Sequence, residues 1–218
     1  GVHKRGGEYI DAELQAAVDN ADKNINVVRE VIKLAQTRKA WLFFCAGVGH
    51  AQHVCQELIN QGVTAACVTG DTSKAERDRI LTEFKAGRIR ALTNANVLTT
   101  GFDYPDIDLI AMLRPTMSAS LYVQMAGRGM RPKSHTDHCL VLDFAGVVEM
   151  HGPITNVQPP KKGGSGEGEA PVKVCDVCHE IVHISAHTCP NCGTPFPPAP
   201  EKKLVLRHDD IMGLEGID

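Results

Sequence analysis

The stretch Gln124-Met-Ala-Gly-Arg-Gly-Met-Arg-Pro132 places two arginines, Arg128 and Arg131, three residues apart among glycines. In helical spacing Gln124, Arg128 and Arg131 fall at i, i+4 and i+7, so all three side chains project from one stripe. Two fixed guanidiniums on one stripe make a good clamp for a phosphate chain, because each offers a planar fork of donors. Taken alone, the pair reads as a solvated basic helix end. A phosphate-binding role requires that the rest of the chain supply a phosphate.

A second cluster points to metal. Cys175 and Cys178 form one Cys-x-x-Cys pair, and Cys189 and Cys192 form another ten residues later, within Cys-Pro-Asn-Cys-Gly. Each such turn delivers two sulfurs from one knuckle, and four thiolates satisfy tetrahedral zinc. So short a module has little apolar core, so a structural Zn2+ is expected to supply its folding energy. A pair of redox dithiols would need a thioredoxin-like context, which is absent. His179, His183 and His187 lie between the pairs and are expected at the surface, since four cysteines already complete the site. A closed four-sulfur site has no open position for catalysis, which leaves structure or recognition. The other four of the eight cysteines, Cys45, Cys55, Cys67 and Cys139, stand among apolar residues and read as buried free thiols.

A third candidate is the loop after Ala-Leu-Thr-Asn. Gly101 permits close backbone approach and Asp103 can accept from ribose hydroxyls, while Thr93 and Asn94 at a strand end can donate to a phosphate. By itself this is a common turn.

These residues need a scaffold, and the totals allow one. The 218 residues hold one mid-sized domain plus a small one, and 43% hydrophobic with 22% charged residues is ordinary for a globular protein. The formal net charge of −3 gives no global basic field, so any nucleic-acid contact must be a local groove. No membrane span or signal-peptide core is seen, and the paired thiols fit a reducing, cytoplasmic location.

Helix and strand patterns alternate from Ile25 onward. Ile25, Val28, Ile32 and Ala35 keep helical spacing, and "WLFFCAG" (41–47) reads as a strand covered on both faces. A helix follows through Ala51, Val54, Cys55 and Leu58, closed by Gly62. "TAACVTG" (64–70) is the next strand. Ser73 and Glu76 form a capping box for a helix that ends at Gly87. Strands are expected at 89–95, 107–113 and 138–146, with a helix from Ser118 to about Arg131, stopped by Pro132. Asp143, in "LVLDF", reads as a strand-end residue. This order predicts an α/β fold, a parallel sheet with helices on both faces and ligands at the carboxyl ends of its strands. The expected divisions are an interlobe segment at 1–24, the α/β lobe at 25–157 and a flexible linker at 158–171. The four-Cys module at 172–200 follows, then a tail at 201–218 with one further strand, "KLVLRH".

Together the motifs become specific. "LTNANVLTTGFDYP" followed by "QMAGRGMRP" resembles motifs V and VI of superfamily 2 helicases, in the second RecA-like lobe. "WLFFCAGVGHAQ" resembles motif IV, and "VTGDTSKAERDRILTEFKAG" the segment that connects it to motif V. Order and spacing match over roughly residues 25–146. With the four-Cys module, the combination is similar to bacterial RadD-like DNA-repair helicases.

The resemblance supplies the phosphate. It implies ATP and Mg2+ in a cleft between two lobes, with Arg128 and Arg131 reaching the γ-phosphate as arginine fingers. Gln124 would position them or the attacking water. Gly101 and Asp103 would lie near the nucleotide, and Gly70, Thr93 and Asn94 would face the nucleic-acid backbone. DEAD-box proteins usually carry His where Gln124 stands, which argues against that RNA-helicase branch. Asn96 replaces the Asp of many relatives.

The chain holds no Gly-x-x-x-x-Gly-Lys-Ser/Thr and no Asp-Glu-x-x segment. The first lobe, with P-loop, Mg2+ site and water-activating carboxylate, is therefore expected in cis outside these residues, and this portion alone is expected to hydrolyse no ATP. The sequence thus predicts part of an ATP-dependent DNA helicase or translocase of repair or recombination. Its partner would be single-stranded or forked DNA, with a protein partner conceivable for the zinc module. The alternatives are an RNA helicase, a double-strand translocase, or a non-catalytic zinc-containing adaptor.

Overall fold

The computed structural model describes residues 2–5, 8–98, 102–157, 172–178, 180–183 and 186–196. The linker, the tail with its expected strand, Gly101 and His179 lie outside the described residues.

Four-residue strands form the heart of the lobe. Trp41–Phe44 (β3), Ala65–Val68 (β4), Ala91–Asn94 (β5), Leu109–Met112 (β6) and Leu140–Asp143 (β7) make a parallel sheet in the order β4-β5-β3-β6-β7. Alternation along each strand splits the core in two. Trp41, Phe43, Leu109 and Ala111 face Val28 and Val31 of α2 (Ala21–Leu34) and Val54 and Leu58 of α3 (Val48–Asn60). Leu42, Phe44, Ile110 and Met112 face Ile80 and Phe84 of α4 (Lys74–Lys85) and Tyr122 and Met125 of α5 (Ala119–Gly127). A short α6 (Val147–His151) follows β7, where Asp143 caps it by accepting from the Ala145 and Val148 amides at 2.9 and 2.7 Å.

Two expectations are corrected, and the expected interlobe segment before residue 25 is folded. It forms β1 (Lys4–Arg5), β2 (Glu8–Tyr9) and α1 (Asp11–Val18), with Leu14 buried, and α2 already begins at Ala21. The capping box is one-sided: the Ser73 hydroxyl accepts from the Glu76 amide at 3.2 Å, but the Glu76 carboxylate turns to Arg79 at 2.7 Å. The last long helix stops at Gly127, not near Arg131. Glycines at 127 and 129 weaken helix propagation, and the chain tightens into three-residue turns, with Arg128, Gly129 and Met130 amides donating to Met125, Ala126 and Gly127 carbonyls.

The cysteine module has its own small sheet. Val172–Val174 (β8) pairs antiparallel with Ile181–His183 (β9). Among the described residues no helix is long and apolar enough to cross a membrane.

Candidate functional sites

The arginine cluster is built on two segments that run side by side. The Ser118 hydroxyl caps α5 by accepting from the Leu121 amide at 3.2 Å, the helix carries Gln124 exposed, and Arg128, half-buried, closes its carboxyl end. Arg131 is reached through the turn, so the single stripe of three side chains does not form. Gly129 is required there, since a Cβ would sit 2.4 Å from the Cys139 sulfur and 3.0 Å from Ile110. Beyond the turn, Ser134 bonds the Asp106 carboxylate at 2.7 and 2.9 Å, and His135 meets Asp108 at 2.8 Å. Buried Asp108 also accepts from the Lys39 and Ala40 amides at 2.7 and 2.9 Å, which ties the cluster to the start of β3. The facing segment is anchored by its aromatics. Phe102 lies 6.2 Å and Tyr104 5.5 Å from Phe84, ring centre to ring centre.

This anchoring aims two cations at one place. Arg128 donates to the Phe102 carbonyl, and Arg131 pairs with Asp103 at 2.5 Å. Burial lowers the Arg128 pKa, the neighbouring Arg131 charge lowers it further, and Asp103 opposes both. The Arg131–Asp103 pair is half exposed, so holding it is worth no more than about 1 kcal/mol. A phosphoryl oxygen can therefore take the carboxylate's place at little cost. Gln124 bonds Ser120 at 3.4 Å and stays exposed one turn before Arg128. α5 runs back from the carboxyl end of β6, so the cluster lies along the segment entering β6 rather than at the carboxyl edge.

The carboxyl edge itself is lined by loops. Gly70 is exposed in a turn closed by Thr72, whose hydroxyl accepts from the Thr69 amide at 2.9 Å, and Arg77 reaches the Thr69 and Thr72 carbonyls at 3.4 Å. Thr93 and Asn94 do not present their side chains to solvent. The Thr93 hydroxyl donates to the Ala51 carbonyl and the Asn94 amide to the Phe43 carbonyl, both at 2.8 Å, and both residues are fully buried. Their expected role as phosphate donors is corrected: at the centre of the sheet their polar groups must be satisfied internally. Asn94 also accepts from the Leu98 amide at 3.3 Å and so shapes the loop. Asn96 adopts a left-handed φ of 59°, which Asn tolerates, and accepts from Arg114. Arg77, Arg114, Glu8 and Gln15 were missed in the sequence, because no local spacing marks them.

In the cysteine module the four sulfurs all lie within 4.8 Å of one another. The Cys175–Cys192 and Cys178–Cys189 separations are 3.6 and 3.5 Å, close to the roughly 3.8 Å edge of a zinc–thiolate tetrahedron. Each knuckle folds by a backbone bond across it: Cys175 N to Glu180 O at 2.9 Å, and Cys189 N to Thr194 O at 2.8 Å. Gly193 takes the left-handed φ of 71° that the second knuckle requires. The residues fit a structural zinc ion. His187 is exposed, and the other four cysteines are free thiols, buried or half-buried.

A parallel sheet sandwiched by helices, with paired arginines after α5, is the architecture expected of a RecA-like lobe. Residues 23–133, just over half of the chain, match the helicase conserved C-terminal domain family, and the chain belongs to it. It is 36% identical over 148 residues to a protein of Saccharomyces cerevisiae named "Putative ATP-dependent helicase IRC3", covering 67% of this chain and 22% of that protein. It is 30% identical over 203 residues to a 51.5 kDa protein of Lactococcus phage (isolate 7-9), covering 88% of this chain and 43% of that one. The fold also matches a fragment named for an HsdR subunit of a type I restriction enzyme from Vibrio vulnificus YJ016. That match has TM-score 0.55 and 22% identity, and covers 67% of this chain and 30% of the other. The chain thus spans less than half the length of the curated relatives it matches.

Proposed function

We propose that this chain is the second lobe of an ATP-dependent DNA helicase or translocase acting in repair or recombination, with a zinc-stabilised module appended. The observation that carries the reading is the convergence of Arg128, Arg131 and Asp103 within the segment that matches the helicase family. Arg128 is pre-positioned by a backbone carbonyl. Arg131 is free to exchange Asp103 for a γ-phosphate oxygen when a first lobe closes on it. Gln124, one turn back, orients the attacking water or the two guanidiniums, and Gly101 and Asp103 flank the nucleotide. ATP, with its Mg2+, supplies the hydrolysable bond from the other lobe, and cleft closure couples its turnover to movement along the strand. The carboxyl-edge turns, Gly70 among them, offer backbone donors to phosphates, so binding is sequence-independent. Cys175, Cys178, Cys189 and Cys192 hold zinc. DNA rather than RNA is favoured by Gln124 in place of the DEAD-box His and by the four-Cys module, as in RadD-like helicases. The cytoplasm is the proposed compartment.

ATP hydrolysis by the intact protein, with and without single-stranded DNA or RNA, tests this. DNA should stimulate turnover, and Arg128→Ala should lower kcat on the order of 10³-fold, the scale of a lost arginine finger. Turnover indifferent to Arg128 would return the cluster to a surface helix end. Stimulation by RNA alone would move the protein to the RNA branch.

A further inference from the structure

The expected interlobe segment does something more specific than cover the lobe. It lays two side-chain oxygens onto the carboxyl edge, over neighbouring strands β3 and β6. The Gln15 side-chain oxygen accepts from the Gly49 amide at 3.0 Å, in the first turn of α3. That oxygen lies against Gly47, where a Cβ would be 2.1 Å from it and would push the Gln15 side chain aside. The Glu8 carboxylate accepts from the Thr116 hydroxyl and, at 3.0 Å, from the Met117 amide, just before α5. Thr116 is fully buried, and buried Arg114 adds its positive charge. These are the donors that hold an oxyanion: backbone amides, a fixed hydroxyl and a nearby guanidinium.

Resting on the reading of this edge as a nucleic-acid track, we propose that Glu8 and Gln15 are place-holders for backbone phosphates, an autoinhibitory contact that bound nucleic acid displaces. Two independent loops show the same chemistry, and in each the occupant is an acceptor oxygen from one N-terminal segment. A carboxylate and a phosphate compete for the Thr116–Met117 donors, and they repel each other at the same place. Leu14, buried beneath, keeps α1 docked while the two polar side chains swing out. A purely structural cap would behave oppositely, since losing it would weaken the edge and whatever binds there.

The test is fluorescence anisotropy of labelled oligothymidylate and oligouridylate with this chain, its Glu8→Ala and Gln15→Ala variants, and Glu8→Ala/Thr116→Val. Thermal unfolding checks that each is folded. Glu8→Ala should tighten binding about fivefold and steepen its salt dependence, Gln15→Ala should tighten it less, and Thr116→Val should cancel the gain. Hydrogen exchange supplies a second readout, with the Gly49 and Met117 amides staying protected as the strand replaces the side chains. Unchanged or weaker binding by a folded Glu8→Ala chain overturns the place-holder role and leaves the track reading standing. No binding of either oligonucleotide by any of the chains overturns both.

Discussion

In the lobe, Trp41, Leu42, Phe43 and Phe44 are buried as an unbroken run, with a helical layer on each side. In the cysteine module the buried described side chains are Cys175, Val182 and Cys189, with Phe196 half-buried against them under Lys173. The lobe spreads its stability over many contacts of about 1 kcal/mol each, so its loops are free to hold strained or exchangeable groups such as Asn96 and the Arg131–Asp103 pair. The module concentrates its stability at one point, the four sulfurs. Distributed stability permits function at the edge of the fold, whereas stability concentrated at four sulfurs makes the fold conditional on the zinc proposed there.

The largest expected effect tests that contrast directly. Removing zinc with a strong chelator should unfold residues 172–196 entirely, because structural zinc typically contributes about 10–16 kcal/mol to such modules. The lobe should keep its unfolding midpoint. Hydrogen exchange resolved by segment reads both at once, with one zinc per chain by mass spectrometry beforehand. A β8–β9 hairpin that stays protected without metal would break the comparison.

A smaller effect should appear in the lobe alone. Phe84 is fully buried and is the ring against which Phe102 and Tyr104 rest. Phe84→Ala should cost about 3–5 kcal/mol of lobe stability. It should also loosen the segment that carries Asp103, so the Arg128 contact with the Phe102 carbonyl is lost with it. The zinc content should not change. Chemical denaturation followed beside zinc release would show whether the two units are as independent as their cores imply.

How far each region could be read from sequence follows the same division. The five strands, the two-faced core and the four-Cys cluster were legible because each is a local pattern: an apolar run, a helical period, a fixed spacing of thiols. The arginine pair was legible as a pair, but its geometry was not. Whether Arg131 shares a helix face with Gln124 depends on where the helix stops, and the turn beyond Gly127 has no room for a side chain at Gly129, which packs against Cys139 just before β7. Thr93 and Asn94 were misassigned for a related reason. A polar residue ending a strand looks exposed until the neighbouring helix and strand are in place to accept its hydrogen bonds. Glu8 and Gln15 were invisible because their partners lie 109 and 34 residues away.

The smallest expected effect separates the two regions by pH. His50 is buried at the start of α3, and its Nδ1 accepts from the Ala46 amide at 3.3 Å, which requires that nitrogen to be unprotonated. Burial lowers its pKa, Asp19 opposes this and His53 adds to it. With the folded pKa below the unfolded value of 6.5, the unfolded chain binds the extra proton first, so stability falls as pH drops through 6.5 and levels off below the folded pKa. Carboxylates held low, such as Glu8 and Asp106, act only further down. Their contribution is complete above unfolded values of 4.5 and 3.8 and is lost as pH falls through the lower folded ones. The lobe's unfolding midpoint should therefore decline between pH 7.5 and 6, and His50→Asn, which keeps an acceptor without titrating, should flatten that decline. The module should answer acid by another route, since protons compete with zinc for thiolates, and its response should persist in His50→Asn. A decline in the lobe that survives the substitution would assign the proton to another group and remove His50 as the lobe's distinguishing sensor.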